Sequence, residues 1–149
     1  MSGIPEGTLP ENFIFRIVRR DCLGGCAVLS NYVVHRHKTG RPHFDLRLIH
    51  DNRLRSWSLL REPPCRKGER KLAIERETFA AADLNCPVFR EEAFGEGRVY
   101  VWDRGDVEIS DVTAERLVLA FRGSKLSGIY ELRHMRWYPG NRWLLSKSE

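Results

Sequence analysis

The chain has 149 residues, 42% of them hydrophobic and 30% charged, with a formal net charge of +5. That length suits one core and one domain, here residues 1–149 with 1–30 as a variable N-terminal segment. No apolar run approaches the roughly 20 residues that span a bilayer, and Met1 to Glu11 lacks the basic start of a signal peptide, so a cytoplasmic location without a membrane partner is expected.

In chain order, Asn12 to Val18 is apolar and reads as a strand or short helix, broken by Leu23-Gly24-Gly25. Short strands are then expected at Tyr32–His37, His43–Ile49, Leu54–Leu60, Lys71–Arg76, Arg98–Trp102, Asp106–Ile109, Arg116–Phe121, Leu126–Leu132 and Trp143–Lys147, each rich in β-branched, aromatic or leucine residues. Asp51-Asn52, Arg104-Gly105 and Gly123-Ser124 are expected to close hairpins, and Gly95-Glu96-Gly97 to turn into the next strand. Only Glu77–Leu84 competes as a helix. The expectation is all-β and mainly antiparallel, a small closed or partly open β-barrel with short helical or irregular embellishments.

Cys22, Cys26, Cys65 and Cys86 are scattered and read as thiols. A disulfide or structural zinc on Cys22 and Cys26 is the minor alternative. Trp57, Trp102, Trp137 and Trp143 read as core aromatics before base-stacking platforms.

The densest chemistry lies between His35 and Leu48, where three histidines, one carboxylate and four cations fall within fourteen residues. If His43–Leu48 is a strand, His43, Asp45 and Arg47 share one face while Phe44, Leu46 and Leu48 enter a core. Thr39-Gly40-Arg41-Pro42 folds the preceding run back, which brings His37 beside them. Two imidazoles and a carboxylate suit Mn2+, Zn2+ or Fe2+ better than Ca2+ or Mg2+, and three protein ligands leave open positions for a solvent-facing site. The plainer reading is a surface ladder of ion pairs.

Charge is uneven along the chain. Residues 31–71 hold 11 Lys or Arg against 4 Asp or Glu, whereas residues 72–116 hold 5 against 11. A positive stretch around a cation-binding centre suits a polyanion, since neutralised phosphates release counterions.

The order His37-x5-His43-x-Asp45-x-Arg47, followed by Ser56-Trp57, resembles the 3′-phosphoesterase domain of bacterial DNA ligase D and its free-standing relatives. Val33-Val34-His35-Arg36-His37 is similar to that family's Val-Val-Gln-Lys-His, His43-Phe44-Asp45-Leu46-Arg47-Leu48 to its His-Tyr-Asp-Phe-Arg-Leu, and Val101-Trp102-Asp103-Arg104-Gly105 to its Val-Trp-Asp-Arg-Gly. The resemblance implies manganese on His37, His43 and Asp45, phosphate contacts from Arg47 and Ser56, and nucleic-acid contacts from Arg61 and Lys71. It also implies removal of a terminal ribonucleotide and then of the 3′-phosphate from DNA or RNA-tipped DNA ends, beside a DNA ligase, a polymerase and Ku. The family's additional His and Tyr are absent from Ile74–Asp83; Glu75, Glu77 and His35 are the residues of the right type to donate a proton. Two other classes stay open. One is a non-catalytic module that grips phosphorylated 3′ ends; the other is an Fe2+ oxygenase, which also uses two histidines and a carboxylate.

Overall fold

The computed structural model describes residues 16–20, 26–38 and 41–149. Among these described residues eleven strands run in order: β1 (Arg16–Arg20), β2 (Cys26–His37), β3 (His43–His50), β4 (Arg53–Leu59), β5 (Arg70–Glu75), β6 (Phe79–Ala80), β7 (Val88–Glu91), β8 (Gly95–Thr113), β9 (Arg116–Gly123), β10 (Ser127–His134) and β11 (Arg142–Lys147). Neighbours pair in the order β2-β3-β4-β5-β11-β10-β9-β8, and β8 returns to β2, so eight strands close into an antiparallel barrel. Closure removes the free edges that an open sheet would expose.

Alternation along the strands fills the lumen. Tyr32, Val34, Leu46, Leu48, Trp57, Leu119, Phe121, Tyr130, Trp143 and Leu145 belong to one buried cluster drawn from around the wall. Trp57 and Trp143 meet edge to face with centroids 5.7 Å apart, in keeping with the core reading of both. Trp102 packs half-buried against that core, while Trp137 is 74% exposed.

A second, smaller core of Leu54, Phe89 and Val99 holds the 79–99 segment against the barrel, with Ile49, Phe79 and Leu84 packed around it. Where a helix was expected at Glu77–Leu84, the chain forms β6 and a five-residue 3-10 turn, Ala81–Asn85. Asp51 and Asn52 close the β3–β4 hairpin with φ of 53° and 62°, as a two-residue turn of type I′ requires. The expected hairpin at Arg104-Gly105 does not form, because β8 runs straight through both residues. Gly105 is instead where β8 and β9 approach too closely for a side chain: a Cβ there would stand 2.6 Å from the Arg122 carbonyl oxygen. The turn of the β7–β8 hairpin is Glu92–Phe94, and Gly95 to Gly97 already pair with β7.

Cys65 and Cys86 are free thiols. Cys22, Thr39, Gly40 and the side chain of Cys26 lie outside the described residues. Among the described residues, no helix is long and apolar enough to cross a membrane.

Candidate metal centre

The strands that give Tyr32, Val34, Leu46, Leu48 and Trp57 to the lumen turn their alternate residues the other way. His35, His37, His43, Asp45, Arg47, Ser56 and Ser58 therefore share the outer face of β2, β3 and β4, and all seven are buried. Register sets the neighbours: His37 faces His43 and His35 faces Asp45 across β2–β3, while Asp45 faces Ser58 and Arg47 faces Ser56 across β3–β4.

What buries this face is the hairpin of β7 and β8. In β7, Phe89 and Glu91 point inward while Val88 and Arg90 are exposed. The Phe89 ring covers the Arg47 guanidinium at 3.9 Å, and Phe94 stacks on the His43 ring at 3.7 Å. The solvent-open site expected for His43 and Asp45 is thus corrected to a roofed one, for a reason outside their own strand: Phe89 and Phe94 of this hairpin pack over it.

One ligand atom from each of His37, His43, Asp45 and Glu91 lies within 4.8 Å of the others. Glu91 Oε1 meets His37 Nδ1 at 2.6 Å and His43 Nε2 at 3.0 Å; His43 Nε2 also meets Asp45 Oδ2 at 3.0 Å. Nε2 of His37 is buried without any hydrogen-bond partner. Two imidazoles and two carboxylates gathered this closely, with one imidazole nitrogen unpaired, form a donor set that fits a cation. Its mixed nitrogen and oxygen chemistry suits a divalent transition metal.

Arg47 ties the cluster together. Its Nε donates to His35 Nδ1 at 3.0 Å, one terminal nitrogen to Ser56 Oγ at 2.9 Å, and the other to Asp45 Oδ2 at 3.0 Å and Glu91 Oε2 at 3.1 Å. Ser58 donates to the remaining Asp45 oxygen at 2.7 Å. Burial and the Arg47 charge together push the His35 pKa down to about 3, so His35 is a neutral acceptor near pH 7. Burial also opposes a charge on His43, but hydrogen bonds to Asp45 and Glu91 outweigh it and push its pKa up to about 9. Burial alone would raise the Glu91 pKa; the His43 hydrogen bond and the Arg47 charge hold it well below the usual carboxylate range.

The sequence profile of the DNA Ligase D 3′-phosphoesterase domain matches residues 35–134. The chain belongs to that family. It is 32% identical over 123 residues to the multifunctional non-homologous end joining protein LigD of Pseudomonas aeruginosa, a match covering 76% of this chain and 14% of that protein. To the multifunctional non-homologous end joining DNA repair protein LigD of Mycobacterium tuberculosis strain H37Rv it is 28% identical over 123 residues, covering 77% of this chain and 15% of that protein. The LigD of Mycolicibacterium smegmatis is 26% identical over 130 residues, 77% of this chain and 16% of that protein. The chain thus corresponds to about a seventh of these relatives' length.

Of the residues singled out in this 3′-phosphoesterase-family chain, the fold brings together His37, His43, Asp45, Arg47 and Ser56. Arg61 is exposed beyond β4, and Lys71 pairs with Glu69 at 3.4 Å; neither joins the cluster. Glu75 is taken by Arg55 at 2.8 Å, and Glu77 accepts the Glu92 backbone N–H at 2.8 Å. Glu91 is the member that reading the sequence missed. Its local signal is the alternation in Val88-Phe89-Arg90-Glu91, which pairs a core phenylalanine with an acid on the same face.

Proposed function

We propose that this chain is a divalent-metal-dependent phosphoesterase that processes 3′ ends of DNA or RNA-tipped DNA in double-strand break repair by non-homologous end joining. The observation that carries the reading is the orphaned His37 Nε2 within a buried set of four donors. Family membership supports phosphate-ester chemistry, and the relatives' names support end joining.

In this reading His37, His43, Asp45 and Glu91 hold the metal, with Mn2+ the first choice and Zn2+ or another divalent ion the alternative. When bound, the ion supplies Lewis-acid polarisation of a non-bridging phosphate oxygen. The protein supplies the rest. Arg47 fixes both carboxylates through one guanidinium, and Ser56 and the neutral His35 hold that guanidinium from its other side. Metal and proton compete for the same His43 and carboxylate atoms, so loading releases a proton. Two carboxylates against one guanidinium and a divalent cation leave the loaded cluster with one positive charge, the sign that draws in a phosphate. Arg61, exposed beyond β4, and Lys71 are the cations we assign to the rest of the nucleic-acid strand. Ligase, polymerase and Ku are the partners such a role implies, in the cytoplasm beside the DNA.

A non-catalytic end-binder is the second reading. It is favoured by the lack of His and Tyr in residues 74–83 together with the occupied state of Glu75, Glu77 and His35. An end-labelled primer bearing a 3′-ribonucleotide or a 3′-phosphate, incubated with Mn2+ or with EDTA, separates the two. Mn2+-dependent shortening or dephosphorylation is expected; intact substrate with tight end binding decides for the binder.

A further inference from the structure

Arg47 is buried, and four N–H groups of its guanidinium are already committed to His35, Ser56, Asp45 and Glu91. A group so engaged can bias the cluster's charge but is badly placed to offer a planar fork to a substrate, since each bond given to a phosphate would be taken from a buried acceptor.

Arg76 presents the opposite situation. It follows β5 directly, its backbone N–H bonds to the Ser56 carbonyl at 2.9 Å, and its side chain is half-buried. The guanidinium lies 5.1 Å over Phe94, the ring that also stacks on His43. Its Nε donates to Ser58 Oγ at 3.2 Å, and that hydroxyl donates onward to Asp45 at 2.7 Å. Among the described residues no carboxylate pairs with Arg76, and its two terminal nitrogens have no hydrogen-bond partner. A half-buried guanidinium held at its base and over one face, with its terminal donors unused two hydrogen bonds from a metal-cradle carboxylate, is preorganised for an anion.

We propose that Arg76 is the residue that grips the terminal phosphate of the substrate strand, at the mouth of the cradle between the residues following β5 and the Glu92–Phe94 turn. This rests on the reading of the site as one for phosphorylated 3′ ends and names the group that makes the contact. Arg76 occupies a segment that lacks the His and Tyr of the family. Ser58 couples Arg76 to the cradle: it accepts from Arg76 while donating to Asp45, so a phosphate seated on Arg76 would lie two hydrogen bonds from a carboxylate that would hold the metal.

The test compares Mn2+-loaded wild type with Arg76→Ala and Arg76→Lys, using two single-stranded oligonucleotides of one sequence that end in 3′-phosphate or 3′-hydroxyl, with Mn2+ affinity and urea stability measured alongside. Wild type should prefer the 3′-phosphate. Arg76→Ala should lose about 10- to 100-fold in affinity for that end, in line with one or two charge-assisted hydrogen bonds, yet bind the 3′-hydroxyl strand and Mn2+ as wild type does. Arg76→Lys should recover part of the loss, since it keeps the charge but not the fork. A phosphate preference that survives intact in Arg76→Ala overturns the assignment of Arg76 alone. A wild type without any such preference overturns the end-processing reading and this proposal with it.

Discussion

Two buried polar clusters stabilise opposite sides of the barrel wall, and they are built on different principles. At one, Asp103 of β8 accepts the Tyr32 hydroxyl at 2.6 Å and the Leu126 and Ser124 backbone N–H groups at 2.8 and 3.1 Å. Gly123 lets the turn come this close, since a Cβ there would overlap the Tyr32 hydroxyl and stand 2.5 Å from Asp103 Oδ2. One acid meets three neutral donors, and nothing is left over; the cluster ties the β9–β10 turn to β2 and β8. At the other, two acids, two imidazoles and a guanidinium crowd together, and one imidazole nitrogen is left without a partner. A satisfied cluster is what folding alone selects. Charge concentrated beyond mutual need, with one imidazole nitrogen of the set left unpaired, points to a ligand.

Breaking that contrast should give graded results. The largest stability loss is expected from Arg47→Ala, which leaves two buried carboxylates, Asp45 and Glu91, sharing the His43 imidazolium as their one cation and should cost about 3–5 kcal/mol in metal-free protein; Mn2+ should restore more stability to this variant than to wild type, read from urea midpoints with and without the ion. Undiminished stability would mean the carboxylates do not depend on Arg47.

Next, Asp45→Asn and Glu91→Gln should each weaken Mn2+ binding by at least about 100-fold, since removing even an outer-shell partner costs about 10- to 100-fold. Titration calorimetry measures it. Wild-type affinity in Glu91→Gln would remove Glu91 from the ligand set.

Asp103→Asn should cost about 1–3 kcal/mol, because it loses the charge that makes its accepted hydrogen bonds strong. Mn2+ affinity of the folded variant should stay that of wild type. A matching fall in both properties would show the two clusters to be energetically one.

The smallest effect is one of pH. His43 has its folded pKa raised to about 9 from an ordinary value near 6.5, so its contribution to metal-free stability is complete below pH 6.5 and is lost as pH rises through about 9. Asp103 and Glu91 have depressed values, so their contributions are present above the ordinary carboxylate pKa and are lost as pH falls through the folded ones. Saturating Mn2+ should erase the alkaline limb, because the ion takes the place of the His43 proton. In Asp103→Asn the alkaline limb should persist while the acid limb shrinks. Thermal melts across pH resolve both limbs, and an alkaline limb untouched by Mn2+ would count against His43 as a ligand.

Much of this was legible in the sequence, and the boundary is physical. Period-two alternation in His43–Leu48 separated Phe44, Leu46 and Leu48 from His43, Asp45 and Arg47, and the turn after His37 brought that imidazole alongside, because a hairpin makes sequence neighbours into spatial ones. Most of the strands, their antiparallel character and the Asp51-Asn52 turn followed from residue types and short spacings, whereas β6, β7 and the unbroken run of β8 through Gly105 did not. Glu91, Phe89, Phe94 and Arg76 did not follow, since each reaches the site from outside the hairpin: Glu91 lies 54 residues from His37 and 48 from His43 along the chain. Glu91, Phe89 and Phe94 meet the site because β8 closes the barrel against β2 and carries β7 over the outer face, and Arg76 arrives from the end of β5. Local alternation specifies which way a side chain points; only the packing of distant segments decides whether it points into water, a core or a metal cradle.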